Sequence, residues 1–240
     1  MSIYNNILKA IEKQQKLFAI LIDPDKFQLS QTESFFKKVN TSIATHIFVG
    51  GSIVKDDATE KLVGSIKKHT KLPVVIFPGD ITQITNLADG LLFLSLLSGR
   101  NPDYLIGKHV EAVSKWRSTN LEVIPTGYIL IEGGITTAVS RVTKTAPMLR
   151  ENIQYIADTA KAGELLGMQL IYLEAGSGAK YPASKEIIKQ VKSELNIPLI
   201  VGGGIKTKSQ LEEAYNSGAD MVVVGTAFEV DESFFDQLTK

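Results

Sequence analysis

The sequence predicts an α/β protein built as a single (β/α)8 barrel, the TIM-barrel fold. Eight short apolar runs recur along the 240 residues, and most of them end in glycine or polar residues. The runs are apolar at nearly every position rather than at alternate positions, which is typical of parallel strands buried on both faces. Helical patterns separate most of the runs, and about 250 residues is the usual length of such a barrel.

The eight predicted strands are spread through the whole chain. They are LFAILI (17–22), HIFVG (46–50), PVVIF (73–77), LLFLS (91–95), LEVIPTGYILI (121–131), QLIYLEA (169–175), PLIVGG (198–203) and MVVVG (221–225). Alternating strands and helices also fit a doubly wound sheet, but the length and the count of eight favour the barrel. Because no linker, low-complexity tract or internal repeat divides the sequence, we expect one domain spanning 1–240.

Seven helices are predicted between and after these strands. Their ranges are 30–40, 56–70, 101–116, 148–167, 184–195, 207–217 and 228–238. Ser30 is a candidate N-cap and Pro102 suits the first helical turn. Asn196 and Gly218 suit left-handed helix ends. Residues 132–147 show no clear periodicity, which predicts a long loop over the active face or a disordered segment.

The composition excludes several classes of function. Twenty-six lysines and arginines balance 26 aspartates and glutamates, so no general field attracts nucleic acid. The absence of cysteine excludes disulfides and thiolate metal sites, and three histidines argue against a histidine metal cage. The longest apolar stretch, 91–97, is too short to span a bilayer, and the N-terminus lacks the apolar segment of a signal peptide. We therefore expect a cytoplasmic protein that meets lipid only at a membrane surface.

Two glycine-rich loops follow the last two predicted strands. Gly203 and Gly204 come after the seventh strand, and Gly225 and Thr226 come after the eighth. TIM barrels often bind a phosphate with these two loops, because glycine lets backbone N–H groups approach an anion closely. Glycines at strand ends can also serve only as tight turns, but their placement in both loops favours a phosphate site.

A carboxylate and a hydroxyl follow the first two strands. Asp23 lies in the sequence Asp-Pro-Asp-Lys at 23–26, and Ser52 follows the glycines at 50–51. Hard oxygen ligands of this kind suit Mg²⁺ that bridges to substrate phosphates. The same residues are compatible with a turn that only caps the next helix. Asp23 and Ser52 are therefore candidate magnesium ligands.

The sixth predicted strand carries a polar pair at its end. Tyr172 and Glu174 lie two residues apart, so both point to the same side of the strand. If Leu173 packs toward the helices, the pair faces the barrel mouth, where a carboxylate can accept a proton from a substrate hydroxyl. The following segment 175–178 can wrap a small polar ligand. The alternative is a buried pair that only fills the barrel.

Taken together, these segments resemble the geranylgeranylglyceryl phosphate synthase family, which includes the PcrB-like heptaprenylglyceryl phosphate synthases. The similarity extends from the first strand to the last and resembles the second of the family's two groups. The matching segments are LIDPDK (21–26), GGSIV (50–54), PVVIFPG (73–79), LLSGRNPDYLIGKHV (96–110), GYILIEGG (127–134), YLEAGSGA (172–179), IVGGGI (200–205) and GADMVVVGTAFE (218–229).

The resemblance implies a magnesium-dependent prenyltransferase that joins a long-chain prenyl diphosphate, geranylgeranyl diphosphate above all, to sn-glycerol 1-phosphate and releases diphosphate. It implies Mg²⁺ on Asp23 and Ser52, with Tyr172 and Glu174 in the catalytic role. Glycerol 1-phosphate would lie against residues of two segments: Tyr172, Leu173, Glu174, Ala175, Gly176, Ser177 and Gly178, then Gly203, Gly204, Gly225 and Thr226.

The resemblance also has one departure and leaves alternatives open. Leu21 stands where some relatives carry a lysine that touches glycerol phosphate, so that contact is absent or comes from another base such as Lys26. A homodimer or larger homo-oligomer and transient membrane-surface contact are expected. The alternatives are a phosphate-binding TIM-barrel isomerase and a non-catalytic prenyl-phosphate binding protein.

Overall fold

The computed structural model describes residues 2–117, 119–230 and 232–239. Eight parallel strands close into a barrel in chain order, and β8 pairs with β1. The strands are β1 (Leu17–Ile22), β2 (His46–Val49), β3 (Val74–Ile76), β4 (Gly90–Leu96), β5 (Glu122–Leu130), β6 (Leu170–Glu174), β7 (Leu199–Gly202) and β8 (Met221–Val224). The predicted barrel and its strands are confirmed, because every strand end lies within about one residue of its expected position.

Helices surround this barrel. They are α1 (Ile3–Glu12), α2 (Thr32–Thr41), α3 (Ala58–Ile66), α4 (Lys108–Trp116), α5 (Ala138–Thr143), α6 (Ile153–Leu165), α7 (Lys185–Glu194), α8 (Lys208–Asn216) and α9 (Thr226–Val230). The predicted helix at 228–238 is instead the end of α9 followed by a 3₁₀-helix, Glu232–Gln237, and residue 231 lies outside the described residues. Among the described residues, no helix combines the length and apolarity that a bilayer span requires.

Two predicted helix caps are wrong, and the helix predicted at 148–167 begins only at Ile153. Ser30 is not an N-cap, because it lies inside a 3₁₀-helix, Leu29–Gln31, that leads directly into α2. Asn196 does not adopt a left-handed conformation: α7 ends on extended backbone at Leu195, and the Asn196 N–H donates to the carboxylate of Glu164 at 3.2 Å. Gly218, by contrast, has the left-handed backbone predicted for it, with φ +119°.

The segment 132–147 contains a helix that the sequence did not predict. Thr137 caps α5 by accepting a hydrogen bond from the Ser140 N–H at 3.0 Å. The expected disordered segment is therefore wrong, whereas the expected loop over the active face is present but contains a helix, which at six residues is too short to show a period. Val139 of α5 packs against the interior of the barrel, which places this helix over the carboxyl ends of the strands.

Alternate side chains of the strands form two cores. Tyr172 and Phe48 point into the barrel, whereas Ile171 and Leu173 pack against the surrounding helices. Helix α1 joins the inner core and covers the amino ends of the strands. Glu122, at the start of β5, fixes α1 by accepting hydrogen bonds from the N–H groups of its first residues. The barrel therefore opens at the carboxyl ends of its strands.

The helical layer is interrupted between β3 and β4. Residues 77–89 hold only a short 3₁₀-helix, Ile81–Gln83, where a complete (β/α)8 barrel has an α-helix. On the other side of this gap, a π-helical turn, Asp103–Gly107, leads into α4. Asn101 precedes this turn, and its Oδ1 accepts a hydrogen bond from the Asp103 N–H at 3.1 Å. Beside this gap lies a groove that is lined in part by β4 and reaches the barrel mouth.

Candidate active site

A cavity of about 430 Å³ occupies the mouth of the barrel. It gathers side chains and backbone from the loops after β1, β2, β5, β6, β7 and β8, as expected for the functional face of this fold. Of the residues singled out from the sequence, those that line it are Asp23, Ser52, Tyr172, Glu174, Gly176, Ser177, Gly178, Gly203, Gly204, Gly225 and Thr226. Leu173 and Ala175 are fully buried, and their side chains do not line it.

Tyr172 and Glu174 share the inner side of β6. Leu173, which lies between them in the sequence, points outward to the surrounding helices, as the alternation of side chains along a strand predicts. The Glu174 carboxylate is buried and accepts a hydrogen bond from the Gly176 N–H at 2.5 Å. Burial outweighs this hydrogen bond and raises the pKa of Glu174 from 4.5 to about 7. A carboxylate in that range can both accept and return a proton near neutral pH.

The Tyr172 side chain is completely buried beneath this carboxylate. Burial, and then the charge of Glu174, raise the pKa of its hydroxyl well above 10. The hydroxyl lies near the carboxylate, but among the described residues no hydrogen bond of good geometry reaches it. A buried hydroxyl without a firm partner is available to a ligand that enters the mouth.

Three aromatic rings form the floor of the mouth cavity. The rings of Tyr128 and Tyr172 have centroids 5.5 Å apart, and Phe77 lies 5.2 Å from Tyr172. These distances are typical of favourable aromatic pairs. The aromatic faces give the cavity an apolar base under its polar rim.

The two glycine loops form one wall of the cavity. Gly203 and Gly204 have left-handed backbone with φ +80° and +73°, a conformation that residues with a side chain rarely adopt. A β-carbon on Gly204 would lie 2.9 Å from the Pro182 nitrogen, so the loop also has no room for one. Across the wall, the hydroxyls of Ser177 and Thr226 lie 3.0 Å apart. The arrangement brings backbone and hydroxyl groups together, as an anion requires.

Asp23 and Ser52 lie in the loops after β1 and β2, and β1 is the neighbour of β8 in the closed barrel. The Asp23 carboxylate accepts a hydrogen bond from the Asp25 N–H at 3.0 Å and pairs with Lys26 at 3.4 Å. Among the described residues, no cluster of three or more histidine or acidic side chains could enclose a metal. One carboxylate and one hydroxyl beside a phosphate-sized space nevertheless fit Mg²⁺, which commonly takes few protein ligands and completes its shell with water and substrate phosphate.

A second, apolar cavity of about 130 Å³ runs from the mouth into the gap between β3 and β4. Gly51, Ser52, Phe77, Tyr128 and Val139 line both cavities, so the two adjoin at these residues. The walls of the groove carry aliphatic and aromatic side chains: Ile81, Ile84, Leu91, Phe93, Leu94, Leu96, Ala112 and Val142. An ion pair between Lys108 and Asp80, 3.1 Å apart, crosses its rim.

The two inner histidines take structural positions. His46 is buried at the start of β2, its Nδ1 lies 2.8 Å from the Thr45 hydroxyl, and burial lowers its pKa to about 4. His109 packs edge-on against Phe93, and its Nε2 lies 3.1 Å from the Ser95 hydroxyl. Neither residue lines the polar mouth.

One lining residue, Lys206, was not singled out from the sequence, although its position directly after a phosphate-loop motif was a usable signal. Arg141 of α5 also lines the mouth. It lies in the segment 132–147, for which a long loop over the active face was one of the two expectations, and its charge suits a diphosphate.

Known proteins are similar to this chain in sequence and in structure. A geranylgeranylglyceryl phosphate synthase from Flavobacterium johnsoniae is 57% identical over 235 residues, which cover 98% of this chain and 97% of that protein. One from Zunongwangia profunda is 54% identical over 227 residues, or 95% of this chain and 97% of that protein.

Solved structures agree with these sequence relatives. The crystal structure of (S)-3-O-geranylgeranylglyceryl phosphate synthase from Thermoplasma acidophilum, in complex with substrate sn-glycerol-1-phosphate, has a TM-score of 0.92 to this chain. It is 32% identical and covers 98% of this chain, which in turn covers 95% of that one. Residues 9–240 match the PcrB family. The chain therefore belongs to the PcrB family.

Proposed function

We propose that this chain is a prenyltransferase that joins sn-glycerol 1-phosphate to geranylgeranyl diphosphate through an ether bond and releases diphosphate. The observation that carries the proposal is the junction of the two cavities. A polar mouth with glycine loops meets an apolar groove at Ser52, Phe77 and Tyr128. An anionic acceptor and a long apolar donor can thus bring their reacting ends to one place.

Glycerol 1-phosphate would occupy the polar mouth. Its phosphate fits against Gly203, Gly204, Gly225 and Thr226, where backbone N–H groups and a hydroxyl can reach it, and Lys206 adds a positive charge. The glycerol hydroxyls would then lie toward Glu174. The Thermoplasma acidophilum relative, described as a complex with this substrate, supports the assignment.

The prenyl tail would lie in the apolar groove and its diphosphate at the mouth. Asp23 and Ser52 are the residues that would hold Mg²⁺, and Lys26 and Arg141 are basic residues that line the same cavity. When bound, Mg²⁺ would neutralise the charge of the diphosphate and make it a better leaving group. The walls of the groove favour a hydrocarbon chain because they remove apolar surface from water.

The reaction that this arrangement supports is a substitution at the allylic C1. The C3 hydroxyl oxygen of glycerol 1-phosphate forms a bond to C1 while the bond from C1 to the diphosphate oxygen breaks. The hydroxyl proton goes to Glu174, directly or through water, because a carboxyl with a pKa of about 7 is partly ionised at neutral pH. The diphosphate leaves with the bonding electron pair.

The aromatic floor would assist this step. Phe77 and Tyr128 line both cavities, so their rings lie where C1 would be placed. Positive charge that develops on C1 is attracted by the faces of aromatic rings. The fixed loops would contribute orientation, which removes much of the entropic barrier of a reaction between two substrates.

Assembly, location and lipid contact are part of the same proposal. We expect a homodimer or larger homo-oligomer in the cytoplasm, with transient contact at a membrane surface where prenyl donors gather. Exposed apolar side chains on and before α4, including Ile106, Val110 and Trp116, support an interaction surface. Light scattering of the purified protein and a vesicle co-sedimentation assay test these two points.

The experiment that tests the reaction is an extraction assay with labelled glycerol 1-phosphate, Mg²⁺ and a panel of prenyl diphosphates. We expect label in the organic phase with geranylgeranyl diphosphate. Addition of EDTA should abolish this organic-phase label, and so should replacement of glycerol 1-phosphate by glycerol 3-phosphate. Binding of both ligands without any product would favour the carrier alternative. Glycerol-phosphate binding with no affinity for any prenyl donor would favour an isomerase.

A further inference from the structure

Gln83 carries a buried side-chain amide. It lies in the 3₁₀-helix Ile81–Gln83, which stands where a complete barrel has an α-helix between β3 and β4. Its side chain is 2% exposed and lines neither cavity. Its Nε2 donates to the carbonyl oxygen of Gly51 at 2.7 Å, and its Oε1 accepts from the N–H groups of Gly51 and Gly79, each at 3.3 Å. One side-chain amide therefore satisfies both backbone polar groups of Gly51.

These hydrogen bonds begin where the pairing of β2 with β3 ends. The last bond of that ladder runs from the Phe77 N–H to the Val49 carbonyl oxygen at 2.9 Å. Gly51 and Gly79 lie two residues beyond Val49 and Phe77. There the Gln83 side-chain amide makes the hydrogen bonds that a backbone peptide group of a neighbouring strand would otherwise make. The pairing of the two loops is thus continued by a side chain, in a segment where no strand is present.

Gly51 is packed between the side chain of Asp23 and the backbone of Gly79. A β-carbon on Gly51 would lie 3.1 Å from both carboxylate oxygens of Asp23. On its other side, a β-carbon on Gly79 would lie 2.2 Å from the Gly51 carbonyl oxygen and 2.7 Å from the Cα of Ser52. A shift of the Gly51 peptide would therefore move Ser52 relative to Asp23.

We propose that Gln83 is a positioning residue that holds Ser52 opposite Asp23, in the arrangement that receives a metal-bound diphosphate. The inference rests on the proposed function and adds a residue that acts through the Gly51 backbone rather than by contact with a ligand. Groups that orient metal ligands commonly change metal affinity about 10- to 100-fold when they are removed. Among the described residues, the side-chain hydrogen bonds of Gln83 reach only Gly51 and Gly79 and none reaches the glycine loops after β7 and β8, so the glycerol phosphate site should not depend on Gln83.

The test is direct binding rather than turnover. Mn²⁺ in the presence of inorganic diphosphate serves as the probe and is followed by electron paramagnetic resonance, while glycerol 1-phosphate is followed by calorimetry. In Gln83→Met, which keeps the length of the side chain and removes its polar groups, we expect Mn²⁺–diphosphate to bind about tenfold more weakly. The dissociation constant of glycerol 1-phosphate should stay as in the unmodified protein.

A second variant disturbs the same peptide independently. Gly79→Ala leaves Gln83 in place but crowds the Gly51 carbonyl oxygen, and it should weaken the same ligand and spare the other. Tyr215→Phe is the control, because it removes a hydrogen bond of 2.7 Å to the Leu17 carbonyl oxygen at the amino end of β1. It should change neither affinity.

The outcomes separate the inference from the proposed function. Unchanged Mn²⁺–diphosphate affinity in Gln83→Met would overturn the positioning role, and so would an equal loss of both ligands. If the unmodified protein itself bound no Mn²⁺–diphosphate, the metal site of the proposed function would fail, and this inference with it.

Discussion

Gly203 and Glu174 touch across the junction of β6 and β7, so closely that a β-carbon on Gly203 would lie 2.1 Å from the Glu174 Oε1. The loop proposed to hold the acceptor's phosphate is therefore in contact with the carboxylate proposed to take the acceptor's proton. Each limits the position of the other, because the two are in contact on that side.

Gly203→Ala should damage catalysis beyond its effect on stability. The added methyl would displace the carboxylate, and small misplacements of reacting groups can cost about a hundredfold in rate. We expect kcat/KM for glycerol 1-phosphate to fall by about that factor. Gly167→Ala is the matched control. Gly167 also has left-handed backbone, at φ +97°, but a β-carbon added there would have no neighbouring atom within 4 Å. Equal losses in the two variants would contradict the account.

Glu174→Gln should lower kcat at saturating substrates by about 10²- to 10⁴-fold, the range expected when a general base is removed. The glutamine keeps the size of the side chain, so the glycine loops should keep their shape. Glu164→Gln is the control, because Glu164 pairs with Lys161, accepts a hydrogen bond from the Asn196 N–H and does not line the mouth. Full turnover in Glu174→Gln would exclude the proposed role and leave Glu174 as a buried structural group.

Stability should fall as the pH rises through neutrality. The pKa of Glu174 is about 7 in the folded protein and about 4.5 in the unfolded chain, so the unfolded chain releases this proton first. The folded state is therefore most favoured while Glu174 is neutral, and about 3 kcal/mol is lost between pH 4.5 and pH values above 7. Urea unfolding at a series of pH values measures this. Glu174→Gln should lose the dependence, and an identical dependence in both proteins would assign it to other groups.

Asp23→Asn should raise the Mg²⁺ concentration needed for half-maximal activity, because a neutral amide is a weaker ligand than a carboxylate. Asp25→Asn tests position rather than charge, since Asp25 lies two residues away and accepts a hydrogen bond of 3.2 Å from the Lys55 N–H. We expect the Mg²⁺ requirement of Asp25→Asn to stay close to that of the unmodified protein. A shift in Asp25→Asn alone would move the metal site to the neighbouring carboxylate.

Ala112→Leu should change which donors are accepted. Ala112 is a buried residue of α4 that lines the groove, so a larger side chain there would shorten the space for the tail. Activity with geranylgeranyl diphosphate should fall more than activity with geranyl diphosphate. Ser114→Leu adds the same bulk on the exposed side of α4 and should leave the ratio unchanged. A constant ratio in Ala112→Leu would place the tail elsewhere.

The sequence predicted those parts of the site that a regular period or a strand end controls. Because side chains alternate along a strand, the two-residue spacing of Tyr172 and Glu174 is enough to place both at the mouth. The glycine loops could be placed because each follows a recognisable strand. Single residues in irregular segments could not: Gln83 lies in a three-residue 3₁₀-helix, and its partner Gly51 is 32 positions away in the sequence.

Errors in the helix ends have a related physical reason. Asn196 has the residue type of a left-handed terminus, but a distant carboxylate on Glu164 takes its N–H group and the chain stays extended. The conformation of Asn196 therefore depends on its tertiary contact with Glu164, which the local sequence does not reveal. The short helix α5, which brings Arg141 to the mouth, gave no period to detect.

The most direct test of the central claim follows one oxygen atom. Glycerol 1-phosphate carrying ¹⁸O in its C3 hydroxyl is incubated with the purified protein, geranylgeranyl diphosphate and Mg²⁺, and the products are analysed by mass spectrometry. The account predicts a prenylglyceryl phosphate that retains the ¹⁸O and a released diphosphate that contains none. An unlabelled lipid product, label in the diphosphate, or no lipid product at all would contradict it.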